Sequence, residues 1–464
     1  MVYFIGVGGI GMSAIARFFN VSGKRVAGYD LTPTALTGKL EAEGMEITYS
    51  DDESAIPGDF TGGGEAAGKV LVVYTPAIPK NNRIFQYFST SGYTMVKRSE
   101  LLGIIANDGR CIAVAGTHGK TSVCTITAHL LMQTAPGCNA FLGGIARNYD
   151  NNLLISKGSD LFVVEADEYD RSFLQLYPHI AIVTSMDPDH LDIYGSYEEM
   201  IRGFNAFAGQ VKERGMIICR EGVPLDTGAR KDVRVLTYGL AGDADFLARN
   251  IRIGSGGLPV FDVVTPEGEI RDLNLGVPGR FNVENAVAAI AAALNCGANK
   301  ENIRAGLKSF RGINRRFDVR INIPGTVLID DYAHHPQELK ACISAVREIF
   351  PERKITGIFQ PHLYTRTRDF SGQFAESLGA LDELVLLDIY PAREEPLEGV
   401  TSELIFNKVK LENKIMCRRE QLPEILGGME TDVVLTLGAG NIDAMVEPVS
   451  KVLFNKNRSN HEET

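Results

Sequence analysis

Short apolar segments alternate with helical patterns along almost the whole chain of 464 residues. Runs such as VYFIGVG, LFVVEAD and DELVLLDIY have the composition of buried strands, and the segments between them have the apolar spacing of amphipathic helices. Because consecutive parallel strands need a crossover connection, this alternation predicts parallel sheets with helices on their faces. A chain of this length is too long for one core. The pattern therefore predicts an α/β fold of three domains, each a mostly parallel sheet with flanking helices, at residues 1–107, 108–313 and 314–464.

The composition argues against several classes of protein. The net charge of -11 argues against a nucleic-acid or anionic-membrane surface as the main partner, and no apolar run approaches the roughly 18 residues of a membrane-spanning helix. The seven cysteines never form a C-x-x-C pair, so neither a zinc site nor a disulfide framework is indicated. The sequence therefore predicts a cytoplasmic globular enzyme with small-molecule partners, either a monomer or a homodimer.

The glycine-rich segment GVGGIG at residues 6–11 is the first candidate site. It lies between a strand pattern and a helix pattern, where glycines let backbone N–H groups approach a diphosphate at the helix N-terminus. Asp30 closes the next strand and is placed to bind a ribose hydroxyl. We expect this turn to bind a nucleotide diphosphate. The pattern alone is also typical of NAD-binding proteins, and a merely tight turn is the alternative without function.

The segment CIAVAGTHGKTS at residues 111–122 indicates phosphate binding more specifically. Its glycines permit the backbone to curl around phosphate, Lys120 is placed to reach the β and γ oxygens, and Thr121 offers a hydroxyl to Mg²⁺. The loop is shorter than the common form, since Val114 stands where that form has its first glycine. A glycine turn with a solvated lysine is the alternative.

Two further candidate residues follow strand patterns of the same domain. Glu165 ends LFVVEAD, and His190 follows IAIVTSMD. Because ligands gather at the carboxyl ends of parallel strands, both side chains are expected near Lys120, where they would suit a divalent metal that bridges phosphates. Each residue taken singly is better explained by ordinary hydrogen bonding.

In the third domain, the segments DDYAHHP and FQPHLYTRTRDF each follow an apolar strand pattern. The second segment places His362, Arg366 and Arg368 on a loop at a strand end, where guanidinium groups suit a carboxylate or a phosphate. A solvated basic loop explains the same residues without a ligand. The polar end of the chain, NKNRSNHEET, is predicted to be a disordered tail.

These motifs occur together in one order: GVGGIGMS, AGTHGKTS, VVEADEYDRSFL, SMDPDHLDIYG, GRFNVENA, INRRFD, DDYAHHP, FQPHLYTRTRDF and GAGNI. In this combination the chain resembles the Mur ligases over nearly its whole length. The resemblance implies a Rossmann-like N-terminal domain for a UDP substrate, a central P-loop-type ATPase domain, and a Rossmann-like C-terminal domain that takes the amino acid and closes over ATP. It also implies an ATP- and Mg²⁺-dependent ligase of peptidoglycan precursor synthesis, which joins L-alanine to the lactyl carboxylate of UDP-N-acetylmuramate through an acyl phosphate.

The resemblance also assigns roles to individual residues. The catalytic residues are expected to be Lys120, Glu165, His190, His335, Arg366 and Arg368. The expected ATP-binding residues are Gly116, Thr117, His118, Gly119, Lys120, Thr121, Ser122, Asn282, Asn285, Arg316 and Asp331. The expected UDP-substrate residues are Gly8, Gly9, Gly11, Asp30 and His118, and the expected Mg²⁺ ligands are Thr121, Glu165 and His190.

The chain departs from the family pattern at two points. Phe281 stands where the adenine motif commonly has histidine, and no lysine lies between Lys157 and Lys212 to serve as the carbamylated lysine of several sibling ligases. Three alternative functions stay open. They are a related ligase that recycles a tripeptide, an NAD-dependent oxidoreductase built on GVGGIG, and a non-catalytic regulator that binds a UDP-sugar.

Overall fold

The computed structural model describes residues 1–64, 67–188, 191–228, 230–392 and 394–462. The chain divides into two compact units. The first comprises Met1–Ile251, Val260–Leu275 and Val283–Phe310, and the second comprises Arg252–Pro259, Gly276–Asn282 and Arg311–Thr464. Three sheets build the described part of the chain, and the first two lie almost entirely in the first unit.

The first sheet has five parallel strands. They are β1 (Val2–Ile5), β2 (Val26–Tyr29), β3 (Glu46–Thr48), β4 (Leu71–Tyr74) and β5 (Thr94–Lys97). The associated helices are α1 (Ile10–Val21), α2 (Ala35–Ala42), α3 (Arg83–Thr90) and α4 (Arg98–Asn107). The strand order is β3-β2-β1-β4-β5, so β1 is central and is buried throughout. The GVGGIG turn therefore begins at the carboxyl end of the central strand, where α/β sheets bind ligands.

The second sheet has ten strands. They are β6 (Arg110–Ala115), β7 (Asn139–Ala146), β8 (Asn151–Leu154), β9 (Leu161–Glu165), β10 (Ile180–Val183), β11 (Met216–Arg220), β12 (Arg234–Gly239), β13 (Phe246–Ile253), β14 (Pro259–Thr265) and β15 (Gly268–Asn274). The helices are α5 (Lys120–Leu131), α6 (Leu191–Tyr194), α7 (Tyr197–Gly209), α8 (Arg280–Asn295) and α9 (Lys300–Ser309). The order β15-β14-β13-β12-β11-β10-β6-β9-β7-β8 places β6 between β10 and β9. The ends of these three strands surround the phosphate loop.

The third sheet has six strands. They are β16 (Asp318–Ile323), β17 (Thr326–Asp331), β18 (Ile355–Phe359), β19 (Glu383–Leu387), β20 (Lys414–Cys417) and β21 (Val433–Leu437). The helices are α10 (Pro336–Ile349), α11 (Tyr364–Leu378), α12 (Glu403–Phe406), α13 (Leu422–Gly428) and α14 (Asp443–Glu462). The order is β16-β17-β21-β18-β19-β20, and the five strands from β17 to β20 in this order are parallel to one another.

The predicted α/β fold with mostly parallel sheets is confirmed. Antiparallel pairs occur at sheet ends, namely β7–β8, β14–β15 and β16–β17, where a short hairpin replaces the crossover helix. The proposed boundaries after residues 107 and 313 stay a prediction. Within the described part of the chain, no helix is long and apolar enough to cross a membrane.

A buried polar cluster joins helix α1 of the first sheet to strand β8 of the second. The side chain of Arg17 donates to Oδ1 of Asn152 at 2.6 Å and to the carboxylate of Glu43. The Asn152 amide, which is fully buried, donates to the Ile10 carbonyl at 2.6 Å and to the Ser13 hydroxyl at 2.9 Å. Because buried polar groups are costly unless they are paired, this network holds the helix that follows the GVGGIG turn in one position on the second sheet.

Residues 455–462 differ from the prediction of a disordered tail, and the last two residues of that prediction, 463–464, lie outside the described residues. Helix α14 continues through this segment to Glu462. Within it, Lys456 donates to the Leu426 carbonyl at 3.1 Å, and Asn457 donates to the Pro324 carbonyl at 2.7 Å. These contacts with distant segments stabilise the helix, and the composition of the tail gives no signal for them.

We predict that His129, a buried residue of helix α5, makes the stability of the first unit depend on pH. Its ring nitrogens hydrogen-bond the Tyr149 hydroxyl at 2.8 Å and the Ser309 hydroxyl at 3.0 Å. Burial lowers the pKa of His129 to about 4, against a smaller opposing effect of the Gly306 backbone. In the unfolded chain the pKa of a histidine is near 6.5, so the unfolded state takes up a proton first as the pH falls. The contribution of neutral His129 to the free energy of unfolding is therefore complete above about pH 6.5 and is lost as the pH falls toward 4.

Urea unfolding at pH 7 and pH 5 tests this prediction. From pH 7 to pH 5, the free energy of unfolding should fall by roughly 2 kcal/mol more in the wild type than in a His129→Gln variant. Equal pH dependence in the two proteins would contradict the assignment.

Candidate nucleotide and substrate sites

The phosphate loop joins the buried strand β6 to helix α5, as the sequence predicts. Gly116 has a φ of +137° and Gly119 a φ of +82°, values that residues with a Cβ rarely adopt. A Cβ on Gly116 would overlap the Thr184 hydroxyl, and one on Gly119 would lie 2.9 Å from Oδ1 of Asn285. The loop therefore requires both glycines. Asn285 lies against it, and its predicted contact with ATP stays a prediction.

Residues that follow strand β10 hold the phosphate loop from its other side. The Thr117 and Ser185 hydroxyls lie 2.9 Å apart, and the His118 amide donates to the Ser185 hydroxyl at 2.8 Å. The Thr184 hydroxyl donates to the His118 carbonyl and, at 3.2 Å, to the Ala115 carbonyl. These bonds fix the backbone of Thr117 and His118. The loop is consequently held in one conformation where it enters helix α5, whose first N–H groups lack intrahelical partners.

Lys120, the first residue of helix α5, folds back across the loop. Its ammonium donates to the Gly116 carbonyl at 2.7 Å and contacts Glu168, at 2.9 Å to Oε1 and 2.7 Å to Oε2. Burial by itself lowers the pKa of Lys120, but the carboxylates of Glu168, Asp167 and Glu165 outweigh that effect and raise the pKa above its ordinary value. Lys120 is therefore a permanent cation at the loop.

Thr121 and Glu165 form the oxygen pair that was predicted to hold Mg²⁺. The Thr121 hydroxyl donates to Oε2 of Glu165 at 2.8 Å. Strand β9 ends at Glu165 beside Val114 of β6, so the parallel register brings the carboxylate to the loop. Gly143 of strand β7 gives it room, because a Cβ there would overlap the carboxylate.

A hydroxyl and a carboxylate are ligands that Mg²⁺ prefers, and this ion usually takes its other ligands from water and substrate phosphates. The pair therefore fits the ion. In the described part of the chain, no group of three histidine, cysteine, aspartate or glutamate side chains could hold a metal by itself. His190, predicted as a metal ligand and a catalytic residue, lies outside the described residues.

The other two predicted residues of the loop have different environments. Ser122 lies in the first turn of helix α5 and is partly exposed. Nε2 of His118 lies 3.8 Å from Oδ2 of Asp187, which follows strand β10. The predicted contact of His118 with ATP or with the UDP substrate stays a prediction.

The GVGGIG turn is closed by its own acidic partner. Oδ2 of Asp30 accepts the backbone N–H of Gly8 at 2.7 Å. A Cβ on Gly8 would lie 2.8 Å from Thr37 and 2.9 Å from Asp30, so no larger residue fits. Gly9 precedes helix α1 as its N-cap residue. Asp30 therefore shapes the turn in addition to its predicted role toward a ribose.

Arg98, the first residue of helix α4, lies between the two loops. Its Nη1 lies 2.6 Å from the place that a Cβ on Gly11 would occupy, and its Nη2 lies 3.5 Å from Oδ2 of Asp167. Arg98, Glu165 and Asp167 line the same pocket. Of these residues, Arg98 also lies against Gly11 of the GVGGIG turn, and Glu165 contacts Thr121 of helix α5.

In the second unit, Asp331 is bonded to backbone amides. Its oxygens accept the N–H groups of Phe317 at 2.6 Å and Ala333 at 2.7 Å. Burial raises the pKa of Asp331 to about 6, although Arg316 and both amides oppose that shift. The Arg316 guanidinium lies over the Tyr332 ring, 4.9 Å from its centre. The predicted contact of Asp331 with the ATP ribose would use an oxygen that already accepts an N–H.

The adenine motif differs from the family pattern at Phe281, and the structure gives the physical reason. The ring of Phe281 packs edge-on against Phe317, with centroids 5.8 Å apart, at the edge of the third sheet's core. An apolar partner here favours phenylalanine over histidine. The neighbouring Asn282 is buried, and its amide donates to the Pro278 carbonyl at 2.7 Å, which closes the start of helix α8.

The loop predicted for Arg366 and Arg368 is wrong, because helix α11 begins at Tyr364. Residues two positions apart on a helix face different sides. Arg366 acts electrostatically on the half-buried His334, whose pKa is lowered to about 4 chiefly by desolvation, against an opposing effect of Glu338 and with a further lowering by Arg366. Arg368 is exposed and pairs with Asp369 at 2.7 Å. The structure separates the two arginines that the sequence placed together.

The two histidines predicted for this region lie close to helix α11. His335 is buried as the N-cap residue of helix α10 and packs edge-on against Phe370, with ring centroids 5.2 Å apart. The ring of His362 lies 5.8 Å from that of His334. The histidines and Arg366 thus lie at the same end of the third sheet.

Five residues that shape the site in the first unit are not among those predicted from the sequence. They are Arg98, Gly143, Glu168, Thr184 and Ser185. Thr184 and Ser185 had a usable signal, since they directly follow a strand pattern in IAIVTSMD. The others had none, because their partners are far away in the sequence.

Comparison with known proteins identifies the family. Family models match the Mur ligase family catalytic domain at residues 1–110, the Mur ligase middle domain at 114–293 and the Mur ligase glutamate ligase domain at 315–440. The UDP-N-acetylmuramate–L-alanine ligase of Parabacteroides distasonis is 49% identical over 97% of either chain. The crystal structure of the UDP-N-acetylmuramate-alanine ligase of Thermotoga maritima matches with a TM-score of 0.80 and 26% identity over 99% of either chain. The crystal structure of a murein peptide ligase of Psychrobacter arcticus shares the fold, with a TM-score of 0.70 and 20% identity. The match covers 97% of this chain and 98% of that ligase.

Both the family models and the relatives extend over most of the chain, in the order in which the three sheets occur. The glycine turn, the phosphate loop and the arginine helix lie inside the three matched regions, one in each. The chain therefore belongs to the Mur ligase family.

Proposed function

We propose that this chain is an ATP-dependent ligase that joins L-alanine to the lactyl carboxylate of UDP-N-acetylmuramate, a step of peptidoglycan precursor synthesis in the cytoplasm. The observation that carries the proposal is the 49% identity over 97% of the chain to a relative named for this reaction. The geometry of the first unit supports the use of ATP, since a glycine loop, a lysine and a Thr121–Glu165 pair converge at one sheet edge.

A carboxylate is a poor acylating agent, so amide formation needs a better leaving group. In the proposed reaction, an oxygen of the lactyl carboxylate attacks the γ-phosphorus of ATP, and ADP leaves. The neutral amine of L-alanine then attacks the acyl carbon, loses a proton, and inorganic phosphate leaves with its bonding electron pair. Phosphoryl transfer depends on positioning and on charge stabilisation. Lys120 supplies that charge beside the γ-phosphate, and the amides of the loop orient the phosphates.

Thr121 and Glu165 are proposed to hold Mg²⁺ together with the phosphates, and His190 is the third proposed ligand. The 2.8 Å contact between the Thr121 hydroxyl and the Glu165 carboxylate supports the first two. The ion would neutralise charge on the phosphate oxygens.

The UDP portion is proposed to bind at Gly8, Gly9, Gly11 and Asp30. The turn follows the central strand of the first sheet and opens helix α1, which supports an anion site. Arg98 lies against Gly11 of this turn and lines a pocket together with Glu165. The lactyl carboxylate of the same substrate is proposed to lie on the Glu165 side of Arg98.

We predict that Arg366, and not Arg368, binds the carboxylate of L-alanine. Arg366 acts electrostatically on the half-buried His334, whereas Arg368 is exposed and paired with Asp369. A charge-assisted hydrogen bond contributes about 1.5–3 kcal/mol, so an Arg366→Ala variant should raise the KM for L-alanine by roughly 10- to 100-fold. Arg368→Ala is the matched control and should change this KM less than about twofold. Equal effects of the two substitutions would contradict the assignment.

Phosphate release from Mg²⁺-ATP in the presence of UDP-N-acetylmuramate tests the proposed function. The assay compares L-alanine, the recycled tripeptide and no acceptor. Release that requires both the UDP substrate and L-alanine is expected. Release only with the tripeptide would identify the recycling ligase, and no release under any condition would favour a binding protein.

A further inference from the structure

Glu168 is a buried carboxylate that lies against the phosphate-loop lysine. Its side chain is 1% exposed, and its two oxygens lie 2.9 Å and 2.7 Å from the Lys120 ammonium. It is distinct from Glu165, which contacts Thr121. Taking a carboxylate out of water is costly, so its retention here calls for a partner as strong as this ammonium.

The backbone around Glu168 is held tightly. Its carbonyl accepts the Tyr194 hydroxyl at 2.8 Å and the Arg171 N–H at 3.0 Å. Asp170 and Arg171 both have a φ of +54°, a conformation that costs free energy in residues with a Cβ. The guanidinium of Arg171 lies over the Tyr194 ring, 5.5 Å from its centre. The turn thus keeps Glu168 inside the protein in spite of local strain.

The position of this carboxylate has a consequence for nucleotide binding. Lys120 also donates to the Gly116 carbonyl, so its ammonium is already engaged on two sides. A phosphate that approaches the loop is attracted by Lys120 and repelled by Glu168, at short range and in a region from which water is largely excluded. The phosphate and the carboxylate therefore compete for the same cation.

We propose that Glu168 is a positioning residue that holds Lys120 over the phosphate loop and competes with the nucleotide phosphates for it. The proposal rests on the proposed function, because it assumes that the loop binds ATP and releases ADP. When nucleotide enters, the ammonium shares its charge between Glu168 and phosphate. When ADP leaves, Glu168 takes the ammonium back. The carboxylate thus weakens product binding and prevents Lys120 from extending into solvent.

Calorimetric titration of the full-length protein with Mg²⁺-ADP, without UDP substrate or L-alanine, tests the proposal. Glu168→Gln keeps the shape of the side chain and removes its charge. We expect the Kd for ADP to fall at least fivefold and the KM for ATP to fall with it, while kcat does not rise. An unchanged or weakened ADP affinity would overturn the proposal, since a merely structural Glu168 would lose affinity when replaced.

Two further variants make the test specific. Asp170→Asn removes a negative charge two residues from Glu168. The Asp170 side chain is partly exposed, and its Oδ2 lies 3.9 Å from Nζ of Lys97. Asparagine tolerates the left-handed backbone conformation of this position. The ADP affinity of this variant should stay within twofold of the wild type, and a gain equal to that of Glu168→Gln would overturn the proposal. Glu168→Asp keeps the charge but draws the carboxylate back by one methylene. It should tighten ADP binding by a smaller factor, and weaker binding would overturn the proposal even if Glu168→Gln does not fold.

The ADP titrations, unlike the KM and kcat measurements, are independent of the acceptor and of the UDP substrate. If wild-type protein binds ADP but releases no phosphate with UDP-N-acetylmuramate and L-alanine, the proposed function fails while the Glu168 proposal is still decided by the titrations.

Discussion

Replacement of Lys120 by alanine is expected to lower kcat by roughly 10³-fold and to leave the affinity for UDP-N-acetylmuramate within about twofold of the wild type. The ammonium lies over the phosphate loop, 2.7 Å from the Gly116 carbonyl, and supplies charge that phosphoryl transfer needs. The GVGGIG turn is built by separate contacts, such as the Asp30–Gly8 hydrogen bond, and these do not involve Lys120.

The buried pair with Glu168 complicates this experiment, and a second variant separates the effects. Removing Lys120 alone leaves a buried carboxylate, which typically costs about 3–5 kcal/mol of folding free energy. The double variant Lys120→Ala, Glu168→Gln removes that charge and should recover most of the stability without recovering turnover. Phosphate release measures turnover, calorimetry measures the affinity for the UDP substrate, and urea unfolding measures the free energy of unfolding. The exposed Lys157→Ala is the control.

Loss of UDP-substrate affinity in the well-folded double variant would contradict this prediction. It would mean that the turn and the phosphate loop bind the substrate as one site, for example through the pocket beside Arg98.

Replacement of Gly143 by alanine is expected to abolish most activity without unfolding the protein. The added Cβ would overlap the Glu165 carboxylate, and the strand conformation of Gly143 permits alanine. The flexible carboxylate would move away and lose its 2.8 Å contact with the Thr121 hydroxyl. The Mg²⁺ concentration for half-maximal phosphate release should rise by roughly 10- to 100-fold, as for other changes beside metal ligands.

The control for this substitution is Gly209→Ala in helix α7, where a Cβ meets nothing within 4 Å. Its Mg²⁺ dependence should match that of the wild type. If Gly143→Ala also keeps the wild-type Mg²⁺ dependence, Glu165 does not hold the ion in the way proposed.

The phosphate loop could be predicted from sequence because its requirements are local. Gly116 and Gly119 have positive φ values, the strand before them is apolar, and the lysine and hydroxyl follow at once. The position of Glu165 could be predicted equally well, since a residue that ends a strand pattern in a parallel sheet reaches the same edge as the loop. Its neighbour in the register, Val114, confirms this reasoning.

The arginine segment could not be predicted in the same way. Leu363 offers no side chain to cap a helix, so the local sequence favours a loop. Helix α11 nevertheless begins at Tyr364, because Glu394 accepts the N–H of Thr365 at 3.0 Å from 29 residues away. That distant cap places Arg366 and Arg368 on different sides of a helix.

The sequence by itself determined the α/β class, the glycine turn, the phosphate loop and the family, because each depends on residues that are neighbours along the chain or recur in a fixed order. Only the tertiary structure decided which charges meet. Glu168 is 48 residues from Lys120, and Arg98 is 69 residues from Asp167, yet each pair is in contact or nearly so. Electrostatic and steric contacts act over a few ångströms in space regardless of separation along the chain, so no local sequence pattern predicts them.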